Sequence, residues 1–270
     1  MERRTTGNDE MNNFIAIDKD DTIVTPFSHS VNATFLDSWK DIEKYPTDHS
    51  VIFRGMTGRK IVEVCEQSNR SYYYIDTGYL GNMQKRKDWH RIVLNGMQHS
   101  NVDYTLPDNR FKRISLEKPY LKFPGWKKDG KSILVVTPSD KPCKFYGINR
   151  DDFVSNTISK IKQYTDRPII IRDKVNRRDR VGGGSIYNQL DKDNIFAVVT
   201  YNSIAATEAI GYGIPCFTLA PNAADIFCEK DLSLINTPRY AEKEKIEKWQ
   251  HWLAYCQYTP SEMLDGTAIK

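Results

Sequence analysis

Cysteine is scarce in this chain, and its five copies are odd in number: Cys65, Cys143, Cys216, Cys228 and Cys256 lie far apart with no CxxC pair. Neither a disulfide framework nor a zinc site of closely spaced thiolates is therefore expected, and the five read as small core residues. Long apolar runs are missing too. No stretch approaches the roughly 20 apolar residues that span a bilayer, and the opening MERRTTGNDE lacks the apolar middle of a secretory signal. A cytoplasmic protein without a membrane partner is expected. Nor does one sign of charge dominate: the net charge is +4 over 270 residues, which moves attention from the sum to local clusters. With 39% hydrophobic residues, the chain can bury the core of one large domain or of two lobes.

From about residue 131, short β-rich runs alternate with helical segments. Strands are expected at Ser132 to Val136, Pro168 to Arg172, Ile195 to Thr200 and Ile214 to Leu219, with helices over Asp151 to Thr165, near Tyr187, and over Ile204 to Ile210. Continuous apolar strands separated by helices indicate a parallel sheet covered on both faces, and such sheets bind ligands at the carboxyl ends of their strands. The N-terminal part is less regular. It offers strands at Phe14 to Ile17, Ser50 to Phe53 and Tyr72 to Ile75, and a helix over Arg59 to Gln67. The pattern divides the chain into a small α/β lobe over 1–125, a nucleotide-binding lobe over 126–238, and a helix and tail over 239–270 that return toward the first lobe. In that last helix Ile246, Trp249, Trp252, Leu253 and Cys256 share one face, a stripe suited to packing across the lobes.

The stretch VVTYNSIAATEAIGYGIP, residues 198–215, turns from a strand into a helix at Asn202-Ser203. Unpaired N–H groups and the positive end of the helix dipole make such a corner fit for phosphate. Glu208, five residues past Ser203, is placed to accept hydrogen bonds from ribose hydroxyls; a plain helix cap at Ser203 is the simpler alternative. Two further strand ends carry anion-binding chemistry. IIIRDKVNRRDRVGGGS delivers Arg172, Lys174, Arg177, Arg178 and three glycines, and TPSDKPCKFYG delivers Ser139, Lys141 and Lys144. Three such loops at the carboxyl ends of one sheet point to a diphosphate site.

These residues resemble the nucleotide-sugar lobe of GT-B glycosyltransferases, in which a strand, a small polar residue, a helix carrying an acid and a Gly-x-Pro exit follow in order. The resemblance covers about residues 131 to 235. It implies two Rossmann-like lobes, with Ser203 at the donor phosphate and Glu208 at the ribose. On FRGMTGRK, YYYIDTGYLGN and DWHR the whole chain is similar to compact glycosyltransferase-like proteins of tailed bacteriophages. That likeness implies sugar transfer from a nucleotide sugar to DNA with a 5-hydroxymethylated pyrimidine such as 5-hydroxymethylcytosine. A UDP-sugar donor is expected, without an obligatory metal, because cationic loops stabilise the departing diphosphate. The first lobe, at about 130 residues, is small for a GT-B acceptor lobe.

For the acceptor side, an alternating aromatic strand carries Asp76 to its end in SYYYIDTGYLGN. Asp76 is the candidate base for the acceptor hydroxyl, with His90 as its rival. The cluster Lys85, Arg86, Lys87, Trp89 and Arg91, and a second one of Trp126, Lys127 and Lys128, interleave cations with indoles as a nucleic-acid contact would. In FIAIDKDDTIV, Asp18 and Asp20 admit three readings: a polar turn, a phosphatase nucleophile with Mg²⁺, or the Asp-x-Asp triplet of metal-dependent transferases. No acidic pair follows a later strand to complete the phosphatase site. The expected function is glycosyl transfer to DNA. The alternatives are a polysaccharide or small-molecule acceptor, or a nucleotide-binding or DNA-binding accessory protein without catalysis.

Overall fold

The computed structural model describes residues 13–56, 58–82, 88–116, 118–173 and 186–269. In the first lobe, strand β1 (Phe14–Ile17) leads through α1 (Val24–Ser30) to β2 (Thr34–Leu36), then β3 (Ser50–Arg54), α2 (Arg59–Gln67), β4 (Tyr72–Thr77), β5 (His90–Leu94) and α3 (Asn109–Ser115). The second lobe runs β6 (Ser132–Val136), α4 (Asp140–Tyr146), α5 (Arg150–Ile161), β7 (Ile169–Arg172), α6 (Ile186–Lys192), β8 (Ile195–Thr200), α7 (Ala205–Gly211) and β9 (Cys216–Thr218). The chain then returns through α8 (Lys243–Tyr255), β10 (Gln257–Tyr258) and α9 (Pro260–Leu264).

Both sheets are wound in one order. The second is β7-β6-β8-β9, all parallel; the first contains β2-β1-β3-β4, also parallel, and extends it with β5 and β10 on the β4 side. Every residue of β6 and β8 is buried, as sequences of the type SILVV and IFAVVT require when helices cover both faces. One helix start is fixed by Asn149, whose side chain accepts from the N–H groups of Asp151 and Asp152 at the head of α5. α4 stops at Gly147, in the left-handed region at φ 67°.

The sequence pattern did not reveal β5, and its place corrects the expectation of a nucleic-acid contact at Arg91. HRIVL lies between β4 and β10, antiparallel to both, so His90 to Val93 are buried rather than offered to a nucleic acid, and Leu94 alone of the five is exposed. The small size of the first lobe is made up by β10, which the C-terminal segment adds to its sheet. Helix α8 packs across the lobes as its stripe implies. The Trp249 indole donates to the Ala223 carbonyl of the second lobe at 3.0 Å, and Trp252 meets the His99 ring of the first at 6.0 Å. Glu262 secures the returning tail by pairing with Arg110 at 3.0 Å. Four of the cysteines are buried and Cys143 is half-buried, and none is paired in a disulfide. Among the described residues, no helix is long and apolar enough to cross a membrane.

Candidate active site between two wound sheets

A sheet of order 2-1-3-4 has its topological switch between its first and third strands, where successive crossovers leave in opposite directions and open a crevice at the carboxyl ends. In the second lobe that point lies between β6 and β8. The chain leaves β6 through Thr137-Pro138-Ser139 and β8 through Tyr201-Asn202-Ser203, so the two segments singled out for phosphate flank one crevice.

The corner after β8 is more closed than its sequence suggests. Asn202 and Ser203 are each 7% exposed. The Ser203 hydroxyl accepts from the Ala205 N–H at 3.2 Å, and the Asn222 amide donates to the Ser203 carbonyl at 3.0 Å. Ser203 thus occupies the first N–H of α7, whose N-cap is Ile204, and the helix offers a short, largely internal N-terminus. Glu208 is half-buried further along α7. Its charge acts on the Tyr187 and Tyr120 phenols, both raised above the ordinary tyrosine value chiefly by burial and then by Glu208. Their rings lie 4.8 Å apart, so a carboxylate stands beside a two-ring wall, a pairing that suits ribose hydroxyls and a planar base. Neither tyrosine stood out in the sequence; α6 and the short turn at Pro119–Leu121 bring them together.

Ser139 is half-buried at the head of α4, and Lys141 and Lys144 are exposed on that helix, with no ion pair among the described residues. Arg172 ends β7, where its guanidinium donates to Gln189 Oε1 at 2.5 Å. Lys174, Arg177 and Arg178, like Lys85, Arg86 and Lys87 of the first lobe, lie outside the described residues.

Helix α4 carries the second lobe onto the first. Phe145 packs against the first-lobe core, and Arg59, at the start of α2, donates to the Phe145 carbonyl at 2.9 Å. The carboxyl ends of β3 and β6 therefore meet across a common cleft. Asp76, at the end of β4, lies on the first-lobe side. Its Oδ2 accepts from the Tyr74 hydroxyl at 2.6 Å and pairs with Arg91 at 3.4 Å, and its Oδ1 accepts from the Thr77 N–H at 2.7 Å. The Asp76 side chain is 29% exposed and Arg91 only 4%. The carboxylate is oriented from behind and partly exposed.

The same burial removes other candidates. Arg91 donates to the Thr77 carbonyl at 2.5 Å and lies over the Tyr74 and Tyr79 rings, so it orients Asp76 and is not available to phosphodiesters. His90 is 1% exposed and Trp89 9%, the indole lying under Arg110 and Arg113; neither an exposed base nor a stacking platform is present there. In the second cluster the Trp126 indole donates to the Ala241 carbonyl at 2.7 Å. Lys127 pairs with Asp191 at 2.8 Å above the Tyr212 ring, and Lys128 lies over Tyr240. These groups seal the seam where residues 126–128 enter the second lobe.

At the first-lobe switch point, between β1 and β3, Asp18 takes a left-handed φ of 75°, and Asp18 and Asp20 are exposed. The anchored acid is Asp21. It accepts from the N–H groups of Ile23 at 2.8 Å and Val24 at 3.0 Å and pairs with Arg54 at 2.7 Å. DKDD is thus a turn leading into α1, and among the described residues no group of three or more His, Cys, Asp and Glu gathers to hold a metal.

No protein-family model matches the chain. No curated protein sequence matches it either. Among solved structures it is similar to KpsC of Thermosulfurimonas dismutans in two parts. The β-Kdo 2,7 transferase matches at 12% identity and a TM-score of 0.53, over 95% of this chain and 98% of that one. The β-Kdo 2,4 transferase matches at 11% and 0.51, over 91% of each. The chain has a GT-B-like fold. Likeness at these identities concerns architecture, and it extends over both lobes and the returning helix.

Proposed function

We propose that this protein is a glycosyltransferase that moves a sugar from a nucleotide-activated donor to an acceptor hydroxyl in the cleft between the lobes. The observation that carries the reading is the placing of an oriented carboxylate, Asp76, on one side of the cleft and the polar switch point of the second sheet on the other. Asp76 takes the acceptor proton. The Ser139 and Asn202 segments receive the donor phosphate, Glu208 the ribose, and Tyr120 with Tyr187 the base. The similarity in fold to two β-Kdo transferases supports sugar transfer and adds activated Kdo to UDP-sugars as donors to test.

For the acceptor, a saccharide or small-molecule hydroxyl is the favoured reading, because Trp89 and Arg91 are buried and Trp126 and Lys127 are engaged by the protein's own groups. DNA with a hydroxymethylated base is the second reading, supported by Lys141 and Lys144, exposed cations on the cleft helix. The test is nucleotide release from UDP-glucose, UDP-N-acetylglucosamine and CMP-linked Kdo, with an oligosaccharide or hydroxymethylated DNA as acceptor. Release from one donor, accelerated by one acceptor, is expected. A DNA acceptor would show affinity falling steeply with salt, whereas a neutral saccharide would not. A folded protein that releases nucleotide from none of these donors would overturn the reading.

A further inference from the structure

Gln257, in the tail that returns to the first lobe, had no place in the sequence pattern, yet the structure sets it in one row with Asp76. Asp76 of β4 stands opposite Arg91 of β5, and Arg91 stands opposite Gln257 of β10. Residues of one row across neighbouring strands point to the same side of the sheet. The Gln257 side chain is fully buried, and its amide takes both backbone groups of a single residue. Oε1 accepts from the Leu80 N–H at 2.8 Å, and Nε2 donates to the Leu80 carbonyl at 2.9 Å. Leu80 belongs to the segment that follows Asp76. That segment starts at Gly78, where a Cβ would come within 2.8 Å of Gln257 Oε1 and 2.9 Å of the Trp89 carbonyl, so the absence of a side chain there lets the amide approach. Two of the groups that hold Asp76 depend on the same segment. Thr77 gives its N–H to Asp76 Oδ1, and its carbonyl accepts from Arg91, whose guanidinium pairs with Asp76 Oδ2 and lies over the Tyr79 ring.

We propose that Gln257 is a positioning residue for sugar transfer, which clamps Leu80 and thereby fixes the turn whose Thr77 and Tyr79 hold Asp76 and Arg91 at the cleft. The proposal rests on the reading of Asp76 as the base for the acceptor hydroxyl. A base acts only within hydrogen-bond reach of the proton it takes, about 2.6 to 3.2 Å, and a displacement of about 1 Å can cost about 100-fold in rate. Leu80 is 3% exposed, so without the clamp its N–H and carbonyl lose their partners where water does not replace them, and the turn shifts to find others. Both hydrogen bonds of the Gln257 side chain go to the first lobe. Donor binding in the second lobe should therefore not depend on it.

Gln257→Met keeps the length of the side chain and removes both bonds. Its kcat should fall about 10- to 100-fold, while calorimetric affinity for CMP or UDP stays within about twofold. Gly78→Ala, which presses on the same amide from the other side, should lower kcat in the same direction. Glu262→Gln serves as the control: it weakens the pairing of the same tail with Arg110, so it should lower the urea midpoint and leave kcat within about twofold. In the unaltered protein the Leu80 amide should exchange with solvent as slowly as the amides of the β4–β5 ladder. Parent-like kcat in Gln257→Met, losses of kcat in Gln257→Met and Glu262→Gln that merely follow their losses of stability, or a freely exchanging Leu80 amide would each overturn the positioning role and leave Asp76 as the base. Parent-like transfer by Asp76→Asn removes the base and this proposal together.

Discussion

The two sheets are wound alike and finished differently. Each has the order 2-1-3-4, so each has one crevice at the carboxyl ends of its first and third strands. In the first lobe an acid fills that place, Asp21, and it is already satisfied by two backbone N–H groups and by Arg54. In the second lobe the same place carries neutral groups, Ser139, Asn202 and Ser203, and the acid beside them, Asp140, is 79% exposed and paired with Arg150. A carboxylate at a switch point repels phosphate; neutral hydroxyl and amide groups admit it. The architecture supplies two equivalent crevices, and a few side chains distinguish them: one holds a turn that steadies the first lobe, and on the reading proposed above the other receives a nucleotide. On the same reading the first lobe's chemistry moves to the neighbouring strand end, at Asp76.

The largest effect should come from removing that displaced acid. Asp76→Asn keeps the shape and the hydrogen bond from Thr77 but takes a proton only weakly. Transfer should fall by about 10² to 10⁴, the usual span for a positioned base, while calorimetric affinity for CMP or UDP stays within about twofold. Parent-like transfer would move the base elsewhere and end the division of labour between the sheets.

A smaller effect is expected when the second switch point is made to resemble the first. Asn202→Asp sets a carboxylate beside the incoming phosphate without changing size. Affinity for CMP or UDP should fall by about 10- to 100-fold, equivalent to about 1.4 to 2.7 kcal/mol, while cytidine or uridine binds nearly as before. Equal losses for nucleotide and nucleoside would show that phosphate does not lie at this corner.

Much of the second lobe was legible because its strands are uninterrupted apolar runs bounded by polar turns, a pattern that period and length resolve. The first lobe was harder to read. β2 has three residues and β10 two, too few to show a period, and β10 joins the sheet from far along the chain. DWHRIV misled because its charged residues look solvent-bound until β4 and β10 enclose them. Arg91 is buried only because Asp76 and the Thr77 carbonyl satisfy its guanidinium, a compensation invisible in one dimension. For the site, Asp76 and Asn202 could be placed at strand ends from local pattern. Tyr120 and Tyr187 could not, because each acquires its neighbours from a different element.

The smallest effect belongs to the first switch point, and it tests whether that acid serves stability alone. Burial works to raise the Asp21 pKa, but the N–H groups of Val24 and Ile23 and the Arg54 guanidinium outweigh it and hold the carboxyl below its ordinary value. A depressed carboxylate contributes stability that is fully present above its unfolded pKa, near 3.9, and is lost as pH falls through the lower folded value. Asp21→Asn retains the oxygen that caps α1 and loses the charge that pairs with Arg54. It should lower unfolding stability at neutral pH by about 1 kcal/mol, the difference between a charged and a neutral hydrogen bond. That deficit should shrink as pH falls below about 4, because the parent then loses the same charge. Urea unfolding of both proteins at pH 7 and pH 3 measures the two gaps. A gap unchanged between these pH values would show that the Asp21 charge does not steady the turn, and a loss of nucleotide affinity in Asp21→Asn would mean that the first crevice takes part in donor binding after all.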